Sequence, residues 1–138
     1  MKSSGYSDTP LAKKLGLKEG LNVRIVNQPD HYFNLFEELP KSIEFHHERN
    51  SKKDLIHYFA KDAKELESDI LSLKHEITTN GAIWISWPKK SSKIVTDITE
   101  DTIRNLALVC GLVDVKVCAI DEVWSGLKLV IPVKDRKS

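Results

Sequence analysis

Between Asp54 and Trp87 the spacing of apolar residues changes period twice, and this change restricts the fold more than any other feature of the chain. Ala63, Leu66, Ile70, Leu73 and Ile77 recur at intervals of three and four, so a helix gathers them into one stripe that has to be buried. The segment before it, Asp54-Leu-Ile-His-Tyr-Phe-Ala60, reads as a strand. After it, Asn80-Gly81 supplies a turn, and Ala82 to Trp87 is apolar almost throughout. A strand without polar alternation is covered on both faces. Strand, helix and strand in succession predict parallel pairing, because a crossover is needed to bring the chain back to the same edge.

The flanking segments extend this pattern. Thr9-Pro10 to Gly16 reads as a short helix with an oxygen side chain at its N-cap, proline at its first position and glycine past its end. Leu21 to Asn27 alternates as a strand and ends at Gln28-Pro29-Asp30; His31 to Glu37 reads as a brief helix anchored by Phe33 and Phe36. Ile43 to His47 is a weaker strand. Thr99 to Gly111 carries helix signals at both ends: Thr99 as cap, Glu100 and Asp101 against the positive end of the dipole, Ile98 with Ile103 as a hydrophobic staple, and Gly111 as the left-handed stop. Val113 to Ile120 and Gly126 to Val133, joined by Asp121 to Ser125, read as an antiparallel hairpin. The expected fold is α/β: a three-layer, Rossmann-like, mostly parallel sheet closed by a C-terminal antiparallel hairpin, with a ferredoxin-like α+β sandwich as the alternative.

A chain of 138 residues is the size of one domain, and residues 1–138 are read as one, with 1–8 and 134–138 flexible. Twenty-one basic and twenty acidic residues leave a formal charge of +1, which supplies no global field for nucleic acid or anionic membrane. Neither a signal-peptide core nor an apolar run long enough to span a bilayer is present. Cys110 and Cys118 lack C-x-x-C spacing and sit among apolar neighbours, so they read as small core residues in a reducing compartment. A cytoplasmic location is expected.

Candidate chemistry collects at strand ends. Trp87-Pro-Lys-Lys-Ser-Ser92 offers the ammonium groups of Lys89 and Lys90 and the hydroxyls of Ser91 and Ser92 for a phosphate or carboxylate; the plain alternative is a solvated loop. In Asp121 to Gly126, Trp124 could stack on a planar ligand beside Ser125 while Glu122 moves a proton, or Trp124 could simply close the core. Asp97, in Thr96-Asp97, is the other candidate acid or base, with capping as its ordinary role. His46, His47, Glu48 and His57 invite a metal argument. Adjacent strand residues point to opposite faces, however, and no metal site is expected. G-x-S-x-G and P-loop patterns are missing from the sequence.

Two resemblances follow from these residues. From Asp54 onward the order of elements is similar to the second half of class I S-adenosylmethionine-dependent methyltransferases. Ser4-Gly-Tyr-Ser-Asp-Thr-Pro-Leu-Ala-Lys-Lys-Leu-Gly16, Ser86-Trp-Pro-Lys-Lys90, Thr96-Asp-Ile-Thr-Glu-Asp101 and Gly111 to Lys128 resemble a small bacterial family of unknown function. The first resemblance implies a truncated methyltransferase-like domain. Its enzymes hold their cofactor against a glycine-rich turn after the first strand; here Val26 to Tyr32 contains no glycine, and the acidic residue expected after the second strand would be Glu48. Binding of S-adenosylmethionine in that mode is not expected. The reading is a non-catalytic domain that takes a small anionic ligand or a protein partner at the carboxyl edge of the sheet. A group-transfer enzyme and a nucleic-acid-binding module are the alternatives.

Overall fold

The structure, a computed structural model, describes residues 9–136. The expected flexible segment 1–8 lies outside them, as do residues 137 and 138. Six strands form one sheet: β1 (Asn22–Val26), β2 (Glu44–His46), β3 (Lys53–Phe59), β4 (Ile77–Pro88), β5 (Val113–Ala119) and β6 (Trp124–Val130), ordered β2-β1-β3-β4-β6-β5. β6 runs antiparallel to β4 and β5, and the remaining pairs are parallel. Helices α1 (Leu11–Leu15), α2 (Ala63–Glu76) and α3 (Glu100–Val109) cover it. The expected α/β architecture with a terminal antiparallel hairpin is present.

Strand alternation divides the core into two layers. Ile56, Tyr58, Ile83, Ile85, Trp87, Leu127 and Leu129 meet the stripe of α2 and the buried side of α3. Val23, Leu55, Phe59, Trp84 and Trp124 meet α1 and the segment after β1. Trp84 Nε1 fastens α1 to the sheet by donating to Leu15 O at 2.9 Å.

The helix boundaries follow their local chemistry. Thr99 and Thr102 make a reciprocal capping box at the start of α3, and Gly111 stands at φ 84° after its end. Asp62 caps α2 by accepting from the Lys64 and Glu65 amides. Last-turn carbonyls are met by lysines: Lys52 Nζ donates to His75 O, and Lys74 Nζ donates to Cys110 O.

Several expectations are corrected. Asn80-Gly81 is not a turn, because α2 passes directly into β4 and both residues lie inside the strand. β4 is irregular between its Ile77 and Ala82 pairings with β3, and a Cβ on Gly81 would stand 3.0 Å from Ile77 Cβ and 3.1 Å from the carbonyl oxygens of Asp54 and Lys53. Glycine is needed there for close backbone approach. The segment after β1 is a 3-10 turn over Tyr32–Leu35, and its anchor is Tyr32 at 1% exposure, whereas Phe33 is 45% exposed. The second strand is limited to Glu44–His46, and the first helix begins at Leu11 after Pro10. Lys134 and Asp135 lie in a 3-10 turn, and Arg136 Nε donates to Ile131 O at 2.8 Å.

Sequence reading missed a buried ionic cluster. Glu76, at the end of α2, accepts from Arg24 Nε at 2.6 Å and Nη2 at 2.7 Å, and Lys53 Nζ lies 3.2 Å from the same carboxylate. All three residues are buried. Lys53 completes its donation at Ser51 O and Oγ. Buried charges persist only when paired and hydrogen-bonded to this extent.

Candidate functional site

In an open α/β sheet, ligands enter at the carboxyl ends of the strands where the strand order reverses, which in this sheet is between β1 and β3. There a side chain bridges the carboxyl ends of the two strands. Asn27, at φ 58°, takes the left-handed conformation in the glycine-free turn and donates from Nδ2 to Phe59 O at 3.0 Å. Behind it, Tyr32 Oη lies 3.1 Å from His57 Nδ1, and His57 Nε2 lies 2.7 Å from Ser86 Oγ. The imidazole stacks on Phe59 at 4.3 Å, and Trp124 meets the same Phe59 ring edge-on at 4.9 Å. Burial pushes the His57 pKa down to about 3 and the Tyr32 hydroxyl up. The result is a neutral, satisfied polar chain through an apolar layer. One signal for it was available: Leu55, His57 and Phe59 share a strand face by alternation.

The residues singled out from sequence divide around the sheet. Trp87, Pro88, Lys89 and Lys90 line a groove of about 540 Å³ on the α2/α3 side, together with Lys93, Ile94, Val95, Thr96, Ile98, Thr99 and Glu100. Local bonds set its rim. Lys89 N donates to Val123 O at 2.7 Å, which ties the loop to the β5–β6 turn. Ser92 Oγ donates to Lys89 O and accepts from Ile94 N, so it serves its own turn; Lys93 closes that turn at φ 63°. Ser91 is exposed and is not among the lining residues. Ser125 is the cross-strand partner of Trp87.

Trp124 is not part of this groove. It follows the register by one step, pairing with Pro88, and so faces the opposite layer at 5% exposure. A ring buried to that degree closes the core, and the expectation of a ligand stacked on it is corrected. Glu122 is exposed at the hairpin tip. Its neighbour Asp121 accepts from the Val123 and Trp124 amides at 2.8 Å and lies 3.1 Å from His31 Nε2.

Asp97 has a structural partner. Its Oδ1 accepts from Ala63 N, the first residue of α2, at 2.8 Å, while Thr96 Oγ1 donates to Lys61 O at 2.7 Å. The groove's rim is thereby clamped to the β3–α2 turn. With Asp62 on the next amides, the free donors that could hold an anion at this helix start are taken by the chain's own carboxylates. The capping box does the same for α3. In the groove, positive charge therefore comes from Lys89, Lys90 and Lys93 and not from helix ends.

The histidines do not converge. His46 Nε2 pairs with Asn22 Oδ1 at 2.8 Å, on the strand face opposite to buried His57. Glu48 accepts from Ser51 Oγ at 3.0 Å, and local hydrogen bonds hold its carboxyl below the usual range. Among the described residues no three His, Cys, Asp or Glu side chains are grouped to hold a metal. Cys110 and Cys118 are free thiols, and burial raises the latter. No described helix is long and apolar enough to cross a membrane.

Solved structures share this fold at low sequence identity. Magnesium protoporphyrin IX methyltransferase (ChlM) from Synechocystis PCC 6803 with bound SAM superposes with a TM-score of 0.60 at 11% identity, over 88% of this chain and 74% of that one. A SAM dependent methyltransferase from Aquifex aeolicus gives 0.59 at 16% identity, over 88% of each chain. The O-methyltransferase NcsB1 from neocarzinostatin biosynthesis gives 0.62 at 10% identity, over 94% of this chain and 51% of that one. These identities establish a common fold and nothing finer. No curated protein matches the sequence. Residues 12–133, nearly the whole chain, match the model of a family described as "Protein of unknown function (DUF3052)", and the protein therefore belongs to that family, built on the Rossmann-like methyltransferase fold.

Proposed function

We propose that the protein is a non-catalytic methyltransferase-fold domain that binds a small anion with an apolar body in the groove between the 88–98 loop and α3. The observation that carries this reading is the composition of that groove: three lysines, Lys89, Lys90 and Lys93, line it together with exposed Ile94 and Val95 and the largely buried Trp87, Pro88 and Ile98. None of the three lysines makes an ion pair with a described residue. A concave apolar surface with a few charged groups is the usual form of a small-molecule site. Support for a non-catalytic role comes from two commitments elsewhere. Asn27 bridges the strand ends where this fold commonly takes its ligand, and Asp97 spends its carboxylate on an amide of α2.

A thermal-shift panel of phosphate, aromatic carboxylates, phosphometabolites, S-adenosylmethionine and its demethylated product tests the proposal. A ligand at a hundred times its Kd stabilises the native state by about 2.7 kcal/mol, which is readily measured. Expected is a shift with an anion that Lys89→Ala, Lys90→Ala abolishes. Equal affinity of the variant for every anion sinks the reading. A shift with S-adenosylmethionine would favour the group-transfer enzyme, and silence across the panel would favour a protein partner.

A further inference from the structure

On the sheet face opposite the groove, Lys116 and Lys128 stand side by side with Lys14 and Lys18 near them, and no described carboxylate pairs with any of the four. Lys116 on β5 and Lys128 on β6 are direct cross-strand partners and so share a face. Lys128 also pairs with Trp84 of β4, and Trp84 is the residue to which the end of α1 is fastened. Lys128 and Lys116 therefore lie on the two strands just beyond the edge of α1. Lys116 Nζ donates to Lys14 O of α1 at 3.3 Å. Burial, then Lys116 and then Lys18, in the exposed segment after α1, hold the Lys128 ammonium below its ordinary pKa. None of the four makes an ion pair with a described residue. Like charges directly opposed on adjacent strands destabilise a sheet, and here no described carboxylate pairs with either lysine to offset that cost.

We infer that this corner, with β5 and β6 as floor and the end of α1 as wall, binds a compact polyphosphate: a chain of condensed phosphates, free or carried on a small molecule. Lysine presents a compact point charge that suits phosphate oxygens. Opposed positions on neighbouring strands bring the Lys116 and Lys128 stems to within about 5 Å at Cβ, a spacing that adjacent phosphates of one chain can bridge. A nucleic-acid strand fits the face less well. Trp84, the aromatic cross-strand partner of Lys128, is fully buried and offers no face for bases to stack on, and a net charge of +1 supplies little long-range attraction for a polymer.

Calorimetric titration of the full chain with sodium triphosphate at low ionic strength tests the inference. The wild type is expected to bind saturably. Lys116→Gln, Lys128→Gln is expected to bind about tenfold more weakly or worse, the loss that follows from removing one charge-assisted hydrogen bond. Lys41→Gln, Lys64→Gln, at exposed lysines outside both the groove and this corner, should bind as the wild type does, which separates a local site from a general loss of charge. The Lys116, Lys128 variant should also melt higher than the wild type without ligand, because repulsion has been relieved; weaker binding then cannot come from unfolding. Parallel titration with ATP distinguishes the source: binding equal to triphosphate identifies a nucleotide-borne chain, and preference for triphosphate identifies the free one. Orthophosphate binding as tightly as triphosphate would overturn the inference. So would equal weakening in both double variants, unchanged affinity in the Lys116, Lys128 variant, or no triphosphate binding by the wild type.

Discussion

Asn27 Nδ2 donates to the carbonyl oxygen of Phe59 at 3.0 Å, and in doing so bridges the carboxyl ends of β1 and β3. Its backbone stands at φ 58°, which asparagine tolerates better than most residues. Asn27→Ala loses the bond and adds left-handed strain of about 1–2 kcal/mol, for a total cost of about 2–5 kcal/mol when the bond's own roughly 1–3 kcal/mol is included. Asn27→Gly loses only the bond. Urea denaturation should therefore rank wild type above the glycine variant and glycine above alanine; alanine equal to glycine would show that the conformation costs nothing.

His57 predicts an acid-sensitive term in stability. Its folded pKa, about 3, lies below the ordinary value near 6.5, so between the two the unfolded chain binds the extra proton. Stability from this residue is complete above about pH 6.5 and falls as pH drops toward 3. Subtracting the denaturation profile of His57→Gln from that of the wild type should isolate a slope in this window. The glutamine variant should also lose about 1–3 kcal/mol at pH 7, because the Tyr32 and Ser86 hydroxyls lose well-placed partners. A difference profile flat from pH 6.5 to 4 would refute the neutral, buried imidazole.

Glu76 balances two buried cations. Glu76→Ala leaves Arg24 and Lys53 buried without this carboxylate and should cost about 3–5 kcal/mol, whereas replacing all three by apolar residues of similar size should come out near neutral. The comparison by chemical denaturation separates the cost of a broken cluster from the worth of an intact one. A mild effect of Glu76→Ala would mean that water reaches the site.

What could be read in the sequence was what neighbouring residues determine. The caps of α3 are local chemistry, so Thr99 and Gly111 marked its ends correctly, and the stripe from Ala63 predicted α2 within a residue. Gly81 misled because its requirement is set by Asp54 and Lys53, which lie on another strand. Arg24 and Glu76 are 52 positions apart, and a charged residue on a strand ordinarily signals solvent. Tyr32 and Phe33 could not be ranked because a 3-10 turn of four residues is too short to show a phase. Trp87 and Trp124 were grouped by their common place at one end of the sheet. Only the register, with Trp124 opposite Pro88, puts their rings on opposite faces.

Asp97 separates anchoring from acid–base work. As an anchor, its oxygen accepts from Ala63 N and holds the groove's rim to α2; Asp97→Asn keeps an acceptor in place, while Asp97→Ala removes it. Loss of an N-terminal acceptor costs about 0.5–2 kcal/mol, and a loosened rim also gives up pre-organisation for any groove ligand. The expected order in both urea stability and anion affinity is wild type near asparagine, with alanine well below. A proton-transfer role makes the opposite demand. There asparagine would be as damaging as alanine to a transfer reaction and harmless to stability, so measuring stability and binding side by side on these two variants decides which role the carboxylate has.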